Sequence, residues 1–272
     1  MNDIDTANTQ GSPPPRFDAG KAWNRAMALV KANKDLLLVV AGLFFFIPQM
    51  LMTILVPQPD AGLEGEAAAQ AALDIFGTWW PLILIAMVVQ MLGMLAIMVV
   101  LLDLRRPTVR EGIRAALKAL PAYFAATLIL GAGVGLFALL ILVPIMLAAG
   151  QTGAALAIIP IIAIAIWVNV RTLPLGPVVA AERITNPFDA LQRSWRLTLA
   201  NGPRILMLVG LFLIAALVVS IVATAVPGSI LIAVLGQETG GGIVGVIEAL
   251  VSAVLMTMWT VLLVASYRQL AA

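Results

Sequence analysis

Residues 182–212 read ERITNPFDALQRSWRLTLANGPRILMLVGLF and join two elements of different chemistry without a break. Asn186 is a helix-capping residue, Pro187 suits a first helical turn, and Asp189 places a carboxylate beside the positive helix end. Phe188, Leu191, Trp195 and Leu199 then recur at helical spacing, with Arg193 and Arg196 to the side of that stripe. From Ile205 the chain turns continuously apolar. The stretch predicts a basic amphipathic helix on a membrane surface that leads into a membrane-crossing helix.

The rest of the chain agrees with a bilayer as solvent. Of 272 residues, 62% are hydrophobic and 11% charged, and the mean hydropathy is +1.05, more apolar than one soluble core requires. The sequence contains neither cysteine nor histidine. Disulfides, thiol nucleophiles, His-based triads and zinc sites are therefore excluded, and no catalytic residue, metal or cofactor is expected. Residues 1–16 are polar and contain Pro13, Pro14 and Pro15. They predict a disordered tail without a cleavable signal peptide, so that the first apolar span serves as the insertion signal.

Six spans are predicted: 36–56, 79–102, 122–149, 154–170, 205–226 and 243–266. The first, 21 residues by count, would be about 32 Å long as a helix, against a hydrocarbon core of about 30 Å. Two more basic surface helices are expected. In residues 17–34, Trp23, Met27 and Val30 share a face beside Lys21, Arg25, Lys31 and Lys34. In residues 103–120, Thr108 and Glu111 have capping-box spacing, Ile113, Ala116, Leu117 and Leu120 form a stripe, and Arg105, Arg106, Arg110, Arg114 and Lys118 carry the charge. Residues 57–78 predict an acidic loop with a short Ala-rich helix, 151–153 a tight turn, and 227–242 a glycine-rich loop. Gly131, Gly133 and Gly135 predict close helix packing.

The 16 lysines and arginines all lie in the tail with its surface helix, residues 103–118, residues 171–204, and Arg268. The positive-inside rule then puts both termini in the cytoplasm, with 17–268 as one six-span domain and 269–272 as a short cytoplasmic end. Residues 22–44 and 190–212 align without a gap and match at 9 of 23 positions, including Arg25 with Arg193 and Asn33 with Asn201. This suggests three parallel units of surface helix plus transmembrane hairpin, the middle one diverged. The fold class is thus all-α.

Two groups of side chains could carry function. Glu248, about six residues into span six with no cation on its side, and Gln90, in mid-span two, are candidates for a transport or proton site. Asn169, Ser220, Ser252, Thr257 and Thr260 are expected to hydrogen-bond between helices. Arg25, Arg110, Arg114, Arg193, Trp195 and Arg196 are candidate contacts for anionic lipid head groups or a membrane-protein partner. Nucleic acid is not an expected partner, because the cations are spread over tethered helices without an aromatic platform.

At ALQRSWRLT, residues 190–198, preceded by Asn186, Pro187 and Phe188, the sequence resembles the membrane domain of some bacterial glycerophosphodiester phosphodiesterases and the related YciC-like inner-membrane proteins. The resemblance spans most of residues 17–268. In those phosphodiesterases, catalysis belongs to a separate soluble barrel with histidines and a metal, and no residue here maps onto it. What the resemblance implies is a stand-alone bacterial inner-membrane module. The expected role is non-enzymatic, organising or supporting envelope components through lipid and protein contacts. The alternative is a transporter or channel for a small or lipidic solute.

Overall fold

The computed structural model describes residues 16–57, 62–103, 105 and 107–271, and every regular element among them is helical. Helix α1, Ala19–Ala32, starts where the Asp18 carboxylate accepts the Lys21 N–H, and it stops at Asn33, whose φ of −130° leaves the helical region. Helix α2, Lys34–Ala41, a π-helical turn, Gly42–Phe46, and α3, Ile47–Leu55, stack into the first span. The wide turn just precedes Pro48. Proline has no N–H to give and its ring crowds the carbonyl four residues back, so the chain widens there. A second π-helical turn, Ile221–Ala225, lies in the same relation to Pro227.

Helix α4 runs Gly65–Leu102 and α5 runs Val109–Thr172, broken at Gly150. Short α6, Leu175–Glu182, and α7, Pro187–Thr198, follow. Then come α8, Gly202–Ser220, and α9, Val226–Leu270, broken at Gly236. Six stretches are long and apolar enough to cross a membrane: Lys34–Leu55, Gly65–Leu102, Val109–Gly150, Ala155–Glu182, Gly202–Gly236 and Thr239–Leu270. A helix satisfies all its backbone groups internally, as a lipid environment demands. The molecule has a multi-pass helical membrane architecture.

Several expectations need correction. The basic segment after Thr108 is no separate surface helix: it is the first turns of the 42-residue stretch Val109–Gly150, about 63 Å long. The Thr108–Glu111 capping box starts that helix, and nothing at Pro121 stops it. The Ala-rich segment after Gly65 likewise continues into span two as one helix of 38 residues. The glycine-rich loop shrinks to the neighbourhood of Gly236, and the preceding turn falls at Gly150. These two positions adopt φ of 79° and 65°, a region that glycine enters without a Cβ penalty. Gly131, Gly133 and Gly135 have open space beside them, where an added Cβ would meet nothing within 4 Å. The tail expected at 1–16 lies outside the described residues except for Arg16, as do Arg106, Asp60 and the Glu238 side chain.

Packing is concentrated at one end. Leu95, Ile97 and Met98 of α4, Val178 and Val179 of α6, Ile205 of α8, and Val261, Leu262 and Val264 of α9 are fully buried. In contrast, the most apolar window of Val109–Gly150 has no buried residue. Lipid tails are as apolar as leucine, so a span gains nothing from hiding its aliphatic surface from them. Where segments emerge towards water, burial stabilises again.

Candidate functional site

The packed end is also the basic end, and polar contacts tie its segments together. The Phe17 N–H donates to Asn201 Oδ1 (2.9 Å), Asp18 N–H to Gln269 Oε1 (2.7 Å), and the Arg268 guanidinium to the Leu101 carbonyl. The start of α1, the junction of α7 with α8, and the ends of α4 and α9 therefore meet.

Helix α7 docks by a face that sequence periodicity did not select. Ala190, Ser194 and Thr198 are buried, while Phe188 and Leu199 are 64% and 55% exposed. Small residues at i, i+4 and i+8 let α7 approach α5 closely. The Ser194 and Thr198 hydroxyls donate to the Arg171 carbonyl (3.3 and 3.0 Å), and Arg171 Nη1 donates to the Thr198 carbonyl (2.8 Å). The same guanidinium lies 5.5 Å from the Trp167 ring and 6.0 Å from the Trp195 ring, which meet edge to face at 4.9 Å. Trp195, a candidate lipid or partner contact, thus serves as half of an aromatic clamp on Arg171.

The remaining candidates of that group divide. Arg193 Nε donates to both Glu182 carboxylate oxygens (3.0 and 3.1 Å), and Glu182 also accepts the Tyr267 hydroxyl (3.0 Å), linking α6, α7 and α9. With side-chain exposures of 44% and 28%, the pair is screened and contributes modestly. Arg25, Arg110 and Arg196 are exposed and make no ion pair among the described residues.

Arg114 belongs to a cleft. A cavity of about 790 Å³ opens between the end of α4, the start of α5 and the end of α6. Its floor is apolar, with Val99, Leu102, Ala115 and Val179. Arg105, Arg114, Lys118 and Arg183 surround it, together with Asp103 and Glu111. Glu111, Arg114, Ala115, Lys118 and Ala119 are one stripe of α5, at spacings of three and four. Both carboxylates are already engaged: Glu111 accepts the Thr108 N–H (2.8 Å) and hydroxyl (3.0 Å), and Asp103 accepts the Arg105 N–H (2.9 Å). Arg183 has φ 52° and ψ 36°, the left-handed position that ends α6. It is the one non-glycine residue with positive φ among those described, at a site where glycine is the usual choice.

Glu248 and Gln90 are not brought into one site. Gln90 lines a smaller cavity of about 380 Å³ with Gln49 and Thr53, between α3 and α4. Glu248 is not in that lining and is exposed on α9. Twenty residues separate it from Arg268, about 30 Å of helix, so the two lie a full hydrocarbon thickness apart along the helix. Asn169, Thr257 and Thr260, expected to bond between helices, donate instead to the carbonyls of Ala165, Ala253 and Met256 in their own helix (2.7–2.8 Å). No group of three or more acidic or metal-ligating side chains that could hold a metal exists among the described residues.

Sequence reasoning missed Arg105, Lys118, Arg171 and Arg183 as site residues. The charged stripe of α5 was visible in the spacing; that α6 would turn back over it was not. No protein-family model, curated protein or solved structure matches the chain.

Proposed function

We propose that this is a non-enzymatic integral membrane protein of the bacterial inner membrane, with both termini cytoplasmic, that organises or supports envelope components through its basic end. The observation that carries this reading is how α1 and α7 dock. Each buries small residues, Ala22 and Ala26 in one and Ala190 and Ser194 in the other. Each leaves large apolar side chains uncovered, Trp23 in the first and Phe188 and Leu199 in the second, next to Arg25 and Arg196. An amphipathic surface of this kind suits the boundary between head groups and acyl chains.

The same positions support a repeated unit. Ala22 with Ala190, and Ala26 with Ser194, are equivalent in the gapless alignment, and Asn33 and Asn201 take similar backbone angles, φ −130° and −123°. In the middle unit, Gly112 and Ala116 form another buried small pair four residues apart. A common docking geometry favours kinship with the membrane modules that residues 186–198 resemble.

The test replaces Arg25, Arg110 and Arg196 by Gln and extracts the protein with its surrounding lipid into polymer-bounded discs. Anionic lipid around the variant should fall about twofold or more while insertion is unchanged. Unaltered lipid composition would refute lipid contact by this face. Single cysteines introduced at Lys31 and Asp74, in a chain that has none, should react with an impermeant thiol reagent from opposite sides.

A further inference from the structure

We infer that the cleft between α4, α5 and α6 is a binding site for a phosphate-bearing head group, held by Arg105, Arg114, Lys118 and Arg183. This rests on the proposal that the basic end contacts anionic lipid, and sharpens it from a diffuse surface to one built pocket.

Charge balance is the first argument. Four cations and two carboxylates surround the cavity, a local excess of two positive charges. Among the described residues the ion pair present is Arg193 with Glu182, so none of the four cleft cations is in an ion pair; Glu111 attracts Arg114 across one helical turn, but its carboxylate is bonded to Thr108. The two acids are held by the Thr108 and Arg105 groups described above. Cations gathered around one concavity repel each other, and a ligand with several anionic oxygens relieves that repulsion. Phosphate suits the donors, because arginine presents a planar fork and lysine a compact point charge.

The second argument is shape. About 790 Å³ lies within the range of small-molecule sites and exceeds what an inorganic anion needs. The floor of Val99, Leu102, Ala115 and Val179 would be wasted on a bare ion but accommodates the carbon skeleton that joins a phosphate to its acyl chains. The position at the membrane boundary favours a phospholipid, although a soluble phosphate ester has the same recognition chemistry.

The third is the conformation of Arg183. A left-handed backbone is disfavoured for a non-glycine residue because its Cβ crowds the following carbonyl, yet at this helix end the residue is arginine, with its side chain at the cleft. A residue kept in an unfavourable conformation at a concave charged site points to a role for its side chain.

The experiment titrates delipidated protein in detergent with phosphatidylglycerol, phosphatidylcholine and inorganic phosphate, read by native mass spectrometry. Wild type should retain one phosphatidylglycerol in preference to phosphatidylcholine. R114Q/K118Q and R183G should each weaken that retention roughly tenfold or more, since a hydrogen bond to a charged group is worth about that factor. R183G also separates binding from folding: glycine relaxes the φ of 52°, so its unfolding midpoint should hold or rise while the lipid is lost. Displacement by millimolar phosphate would assign the site to soluble phosphate esters, and resistance to it would assign the site to lipid; both support the inference. Equal retention by wild type and the cleft variants, or no preference for phosphatidylglycerol, overturns it. If cleft variants bind normally while neutralising Arg25, Arg110 and Arg196 depletes anionic lipid, only the pocket fails and the surface reading stands. If neither set has an effect, both fail.

Discussion

Replacing Arg171 by alanine isolates the contact that fastens α7 to the bundle. The substitution removes the Nη1 hydrogen bond to the Thr198 carbonyl, a charged donor on a neutral acceptor worth about 1.5–3 kcal/mol. It also removes the cation from between Trp167 and Trp195, each ring contact being worth about 0.5–1 kcal/mol at exposed sites. The bonds from Ser194 and Thr198 survive, because they end on the backbone carbonyl of residue 171. Arg171 is only half-buried, so the lower part of each range applies, and the expected loss is about 2–3 kcal/mol. In a reversible unfolding titration in detergent, the variant should lose stability by that amount. Fluorescence from Trp195 should change first and α7 should become the early site of proteolysis. A double-mutant cycle with Trp195→Ala should return a coupling on the order of 0.5–1 kcal/mol. A loss below about 0.5 kcal/mol, within the range of ordinary surface substitutions, would refute the reasoning.

Two more substitutions probe the packing. A Cβ on Gly240 would lie 2.6 Å from the Leu231 carbonyl oxygen and 2.7 Å from the Ile232 Cα, both backbone. Gly240→Ala should therefore force the hairpin at Gly236 apart and cost about 2 kcal/mol; Gly242→Ala, with open space around it, should be neutral or stabilising in the same titration. Ser266 Oγ is buried with no hydrogen-bond partner, so Ser266→Ala should leave stability unchanged or raise it by up to about 1 kcal/mol.

Much of the fold could be read from local sequence because the forces concerned are local. Six apolar stretches long enough to cross a bilayer identify six helices, since a spanning segment must satisfy its own backbone in lipid. The confinement of all 16 cations to alternate connections placed them at one end. Helix boundaries were less legible. The basic start of α5 and the Ala-rich start of α4 changed polarity at the expected membrane edge. A polarity change does not break a helix, and no cap or left-handed residue interrupts the chain at Pro121 or Trp79. The Gly131, Gly133 and Gly135 series suggested close packing by composition alone, yet no neighbour came to meet it.

The candidate site depended on tertiary structure throughout. Periodicity marked the large apolar stripe of α7, but docking used Ala190, Ser194 and Thr198, because short side chains allow the backbone approach that puts the Arg171 carbonyl within reach of two hydroxyls. Glu248 and Gln90 shared a chemical suggestion, but the cavity that Gln90 lines with Gln49 and Thr53 does not include Glu248, which is exposed on α9. What the sequence by itself determined was the helical class, the number of spans and the end at which charge collects, each set by the polarity of neighbouring residues and the thickness of a bilayer. Only the tertiary structure decided that Arg105, Arg114, Lys118 and Arg183 meet around one cavity. Their proximity depends on α6 folding back over the junction of α4 and α5, a relation between segments up to about 80 residues apart that no local pattern encodes.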